Sequence, residues 1–168
     1  EKTMVLMTDL ADYGNASAGA SPRNGVMLYV SPPSRTLETM PSSERMYSLM
    51  NHEGIHVANA DVANSRDLAW RRFFGGKPAA SDEHPETILY NYLTTPRSNA
   101  PRWYLEGSAV FMETWMAGGL GRGQGAYDEM VFRAKVRDHA PIYSPLALES
   151  VGITNDFQVG VNDYLYGT

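Results

Sequence analysis

The chain contains no cysteine, which excludes disulfides, thiolate nucleophiles and cysteine-ligated metal sites in one step. It also lacks any run approaching the roughly eighteen apolar residues that a membrane-spanning helix requires. Basic clusters are absent as well. Fourteen Lys and Arg stand against nineteen Asp and Glu, a formal net charge of -5. That balance argues against nucleic acid as the main partner. There is no internal repeat and no low-complexity tract. What remains is an ordinary 43% hydrophobic composition over 168 residues, ample for one core and short for two domains. Histidine is scarce too, with four in the chain, so the placing of two of them four positions apart carries weight.

Those two lie in His52-Glu53-Gly54-Ile55-His56, an HExxH pattern. On a helix, residues four apart share a face, so both imidazoles can point at one metal ion. Glu53, one residue beyond the first histidine, flanks that ion without competing to ligate it. This is where a general base acting on water would stand. A second motif follows fifty residues later: Trp103-Tyr104-Leu105-Glu106-Gly107-Ser108-Ala109, or W-x-x-E-G-x-A.

The pair of motifs resembles the gluzincins, the thermolysin-like and aminopeptidase N-like zinc peptidases, and most nearly their bacterial peptidase-like domains. The resemblance implies zinc ligation by His52, His56 and Glu106, with Glu53 as base. Two neutral imidazoles and one carboxylate leave a fourth position open, the pattern of a catalytic rather than a structural zinc. It implies further that a tyrosine near the C-terminus donates to the oxyanion. Tyr164-Leu165-Tyr166-Gly167-Thr168 is similar in pattern and position, so Tyr164 is expected in that role, with Tyr166 as the fallback. Glu113, seven residues after Glu106 and so on nearly the same helix face, is expected to receive the second N–H of a ligating histidine.

The expected fold class is α+β and zincin-like. It comprises a small mixed sheet with an edge strand over the HExxH helix, a glutamate-bearing helix, and further helices. Residues 1–168 read as a single domain, a fragment of a longer polypeptide, since the chain stops inside a motif that in the relatives opens another helix. Within it, 1–40 form the strand region, 41–60 the HExxH helix, 61–100 an insertion, 101–118 the glutamate helix and 119–168 a helical C-terminal part. Strands are expected over 3–8 and 25–30. The Gly, Ala, Ser and Asn-rich stretch 12–24 reads as loop or irregular edge. Ser42 or Ser43 is expected to cap the first helix, which carries Met46, Leu49, Met50 and Val57 toward the core. Short helices follow over 66–74 and 85–93. Pro101 suits the first turn of the glutamate helix, which ends before Gly118-Gly119. Residues 121–125 read as a flexible glycine-rich link, 127–137 as an amphipathic helix and 141–151 as a short helix. His84 and His139 are expected at the surface, and the aromatics of Trp70-Arg71-Arg72-Phe73-Phe74 in packing.

The chain departs from the family in two places. Fifty positions separate His56 from Glu106, where the better-known aminopeptidases use roughly twenty, so the intervening segment must loop out. The strand that in aminopeptidases carries an amine-binding glutamate corresponds here to Gly14 to Ala20, which has no acidic residue. The expected function is therefore zinc-dependent peptide-bond hydrolysis as an endopeptidase or small-peptide hydrolase, acting on a peptide or protein substrate. An extended peptide could pair with the sheet edge through backbone hydrogen bonds. The alternative is a peptidase-like domain kept as a structural or interaction module in a larger assembly, with protein partners and with or without zinc. Periplasmic or extracellular placement follows from the resemblance to exported bacterial relatives.

Overall fold

A computed structural model describes residues 1–12, 14–31, 45–94, 100–119, 121–144, 164, 166 and 167. Three strands and five α-helices are found there: β1 (Met4–Thr8), β2 (Asn15–Gly19), β3 (Gly25–Tyr29), α1 (Arg45–Asp61), α2 (Ser65–Phe73), α3 (Glu86–Thr94), α4 (Arg102–Met116) and α5 (Ala126–Arg137), with a 3-10 turn, Arg122–Gln124, between the last two. The class is α+β, as expected. Contacts divide the chain into two compact units, Glu1–Pro32 with His56–Ala100, and Pro33–Ile55 with Pro101–Thr168. The division falls inside α1, so one continuous helix belongs to both.

The first unit holds the sheet, in the order β1-β3-β2. β3 pairs parallel with β1, Val26 opposite Val5, and antiparallel with β2, Ala18 opposite Val26. This is the small mixed sheet that was expected, but one of its strands was not. Asn15–Gly19 is a regular strand rather than loop or irregular edge. Its weak intrinsic preference is overridden because each residue has a ladder partner on β3. Alternation along the central strand buries Val26 and Leu28. β1 stays largely exposed along its length.

The rest of the first unit is built on polar ties and aromatic packing. Asn64 caps α2 in a reciprocal box: its side chain accepts from the Asp67 N–H at 2.9 Å, and the Asp67 carboxylate accepts from the Asn64 N–H at 3.0 Å. Trp70 packs tilted against Phe74, which in turn meets Tyr90 of α3 edge-on, whereas Phe73 is 76% exposed. At the end of α1, Asp61 accepts from Asn24 at 2.7 Å, Arg71 at 2.9 Å and Lys77 at 2.9 Å. The aliphatic stem and head of Lys77 are buried there, which requires the carboxylate beside it.

In the second unit α4 is the organising element. Gly107, Val110 and Thr114 lie on its buried face with Glu113, while Tyr104, Phe111 and Trp115 line the exposed one. That is the split a 3.6-residue period produces. Gly118 and Gly119 follow with positive φ of 65° and 93°, ending the helix where a side chain would be strained. Residues 121–125 are not a loose link. Gly121 is buried against α4, where a Cβ would collide with the backbone and hydroxyl of Thr114. The Thr114 hydroxyl also accepts from the Gly123 N–H at 2.9 Å. Glycine here permits close docking, not mobility. Residues 141–144 are not helical, contrary to the expected helix over 141–151, whose remainder lies outside the described residues. Ser42 and Ser43, the expected caps of α1, lie outside them too.

Candidate metal centre

Helix α1 presents His52 and His56 one turn apart, and α4 presents Glu106. Each can offer one ligand atom, and the three atoms lie within 4.8 Å of one another. The group can hold a metal ion. His52 is buried, Glu106 largely so at 13% side-chain exposure, and His56 is half-buried. Nε2 of His52 stands 3.2 Å from Oε2 of Glu106. Glu53 is buried on α1 beside His52.

The back of His52 is held by Glu113, whose Oε2 lies 2.8 Å from Nδ1. Glu113 is fully buried. Its charge is met by Arg122, which donates from Nε to Oε1 and from Nη2 to Oε2, both at 2.9 Å, and from its backbone N–H to Oε1 at 3.2 Å. Burial alone would raise the Glu113 pKa. The hydrogen bonds from His52 and Arg122 and the guanidinium charge overturn that and hold it at about 2. Burial likewise opposes protonation of His52, yet hydrogen bonds to Glu106 and Glu113 outweigh it, and its pKa is raised above the usual 6.5. Arg122 also brings Nη2 to 2.7 Å from Nδ1 of His52. The same ring nitrogen thus faces an acceptor, Glu113, and a donor, Arg122, so either neutral tautomer finds a partner.

Tyr164 joins this cluster and Tyr166 does not. The Tyr164 ring stacks on His52 with centroids 5.8 Å apart and planes 27° apart, and Arg122 lies 5.0 Å from its centroid on the ring face. Burial, reinforced by the Glu106 charge, pushes its phenol pKa up, so the hydroxyl remains a donor throughout the neutral range. A hydrogen bond from Arg102, one turn before Glu106, acts the other way. Tyr166 packs instead against Phe132 and Tyr143, with the Lys135 ammonium 5.8 Å from its ring centroid. Its hydroxyl is buried with no hydrogen-bond partner among the described residues.

Two glycines make this assembly possible. Gly107 follows Glu106, and Gly167 follows Tyr164 by three residues; a Cβ on either would collide with the other's backbone or with the Trp103 carbonyl. The glycine of each motif is there for close approach of two backbones, which sets Tyr164 against the cluster. His84 and His139 are exposed and take no part, as expected.

Arg122 was missed in the sequence. A single arginine between Gly121 and Gly123 gives no periodic signal, and its partner is nine residues away across a turn. The only hint was that a buried Glu113, if it backed a histidine, would need a cation of its own.

No protein-family model matches this chain, and no curated protein and no solved structure matches it either. The class that the geometry defines is therefore a candidate two-histidine, one-carboxylate metal centre in an α+β chain. Among the described residues, no helix is long and apolar enough to cross a membrane.

Proposed function

We propose that this chain is a gluzincin-like zinc peptidase domain that hydrolyses peptide bonds. The observation that carries the reading is the convergence of His52, His56 and Glu106 donor atoms from two motifs fifty residues apart. The donor types fit the ion, and one pair already stands at its spacing. Two ligands on a tetrahedral zinc with bonds of about 2.0–2.1 Å stand roughly 3.3 Å apart, and the His52 and Glu106 donors are separated by 3.2 Å. Nitrogen and carboxylate donors without thiolate suit zinc with an open position. Bound there, the ion would supply Lewis-acid polarisation of the scissile carbonyl and of the attacking water.

The chain's own residues do the remainder. Glu53 takes a proton from the attacking water and passes it to the leaving amine, which lets one carboxylate serve as base and then acid. Tyr164, kept protonated by its raised pKa, donates a hydrogen bond to the oxyanion that develops on the carbonyl oxygen. Glu113, an acceptor 2.8 Å from Nδ1, would favour the His52 tautomer with Nδ1–H and so leave Nε2, on the Glu106 side, free to ligate. Among the described residues β2 is an edge strand, with β3 on one side only, so an extended peptide could add to it through backbone hydrogen bonds.

The test is zinc content together with cleavage of a quenched peptide library, for wild type and Glu53→Gln. One zinc per chain in both, with cleavage lost only in the variant, is the expected result. Zinc without cleavage by either protein would move the reading to an interaction module. A folded protein that takes up no zinc would overturn the metal site itself.

A further inference from the structure

We propose that Arg122 is a positioning residue of this centre, fixing two of its members at once: His52 through Glu113, and Tyr164 through the guanidinium that lies over its ring. The inference rests on the metal-site reading and extends it to a residue outside both motifs.

The observations come from three sides of one planar group. Along its edge, Nε and Nη2 take the two oxygens of Glu113 at 2.9 Å each, the fork that only arginine offers a carboxylate. With both oxygens held, the Glu113 carboxylate cannot rotate, so the acceptor 2.8 Å from Nδ1 of His52 is fixed in direction as well as distance. The central carbon of the guanidinium lies over the Tyr164 ring, 5.0 Å from the centroid, and that ring is in turn stacked on the His52 imidazole. The third side is the backbone: the Arg122 N–H donates to Glu113 at 3.2 Å. The 3-10 turn is itself pinned on α4 by the close approach of Gly121 to Thr114. Arg122 therefore has little freedom of its own, its side chain being 12% exposed.

Charge decides why an arginine is needed. Glu113 is completely buried, and a buried carboxylate with only a neutral histidine for company would pay heavily for its ionisation. Paired with Arg122 it stays ionised, and the pair as a whole is neutral. His52 thus receives a strong acceptor without the full field of an uncompensated anion. A lysine would restore the charge and not the fork; a glutamine would restore neither.

The experiment compares wild type with Arg122→Lys and Arg122→Gln as full chains. It reads Zn2+ affinity by competition with a chromophoric chelator, and the visible spectrum of the Co2+-substituted protein. Circular dichroism confirms that each variant is folded. Loss of a group that orients a ligating histidine costs about 10–100-fold in metal affinity. The expected result is a loss in that range for Arg122→Gln, a smaller loss for Arg122→Lys, and a shifted Co2+ spectrum in both. Should Arg122→Gln not fold, Arg122→Lys, which keeps the charge beside Glu113, decides the matter alone. Folded variants with wild-type affinity and an unchanged Co2+ spectrum would overturn the role of Arg122 while leaving the metal site standing. Wild type that binds neither ion would overturn the metal reading first, and the positioning role with it.

Discussion

Gly107 and Gly167 meet backbone to backbone: a Cβ on Gly167 would stand 2.9 Å from the Gly107 Cα and collide with the Trp103 carbonyl. Gly107→Ala would gain about 1 kcal/mol in helix propensity. Its new methyl would meet backbone rather than a yielding side chain, and overpacking of that kind costs about 1–3 kcal/mol. The clash is expected to win. Gly107→Ala should lower the urea midpoint and weaken metal binding as Tyr164 is pushed from His52. An alanine variant at least as stable as wild type would show that the two backbones do not need to touch.

The proposed ligands and the proposed base should separate by metal content. His52→Ala and His56→Ala each remove a donor and Glu106→Ala removes the carboxylate, and all three are expected to leave the protein without stoichiometric zinc after dialysis against a weak chelator. Glu53→Gln, which removes no ligand, should retain one zinc per chain. Elemental analysis of the four purified variants checks this. Zinc retained after loss of His56 would place the ion elsewhere.

Metal affinity should fall on the acid side. The His52 pKa in the metal-free chain is raised, by the Glu106 and Glu113 hydrogen bonds over the opposing effect of burial. Ligation needs the lone pair that the proton occupies. Affinity is thus held above the raised pKa and falls about tenfold per pH unit below it, with one proton released on binding there. Chelator competition across pH, with proton release followed by an indicator dye, measures both. An affinity flat from pH 5 to 8 would remove His52 from the ligand set.

Acid sensitivity in the first unit should come from Asp61. Burial would raise its pKa, but Asn24, Lys77 and Arg71 together lower it from 3.8. A depressed carboxylate contributes stability that is present above the unfolded value of 3.8 and is lost as pH falls through the lower folded one. Asp61→Asn leaves the buried Lys77 ammonium without that charge and is expected to cost about 1–3 kcal/mol at pH 7. The same variant should flatten the acid limb of the stability curve. Urea unfolding at pH 7 and between pH 5 and 2 tests both; an unchanged acid limb would locate the linkage in another carboxylate.

Much of this molecule could be read in the sequence because local chemistry suffices for it. His52 and His56 share a face wherever residues 52–56 are helical, and Glu106 and Glu113 likewise on α4. Strands β1 and β3 announce themselves by apolar, branched residues, and α3 by its period. β2 was hidden: Asn15-Ala16-Ser17-Ala18-Gly19 has little strand preference, and only pairing with β3 makes it one. The 121–125 segment was hidden for the same reason. Its glycines are read as freedom in a sequence and turn out to permit contact in the structure.

The sequence by itself determined the chemistry on offer: two histidines one helical turn apart, a glutamate beside the first, a third donor on a second helix, and no thiol to compete. Only the tertiary structure decided which groups meet. It chose Tyr164 over Tyr166: the Tyr164 ring stacks on His52, whereas Tyr166 packs against Phe132 and Tyr143. It gave Glu113 its cation from a turn nine residues on, and it set Gly107 against Gly167 across sixty positions. Such choices depend on long-range contact and on the cost of burying charge, neither of which leaves a local trace in the order of residues.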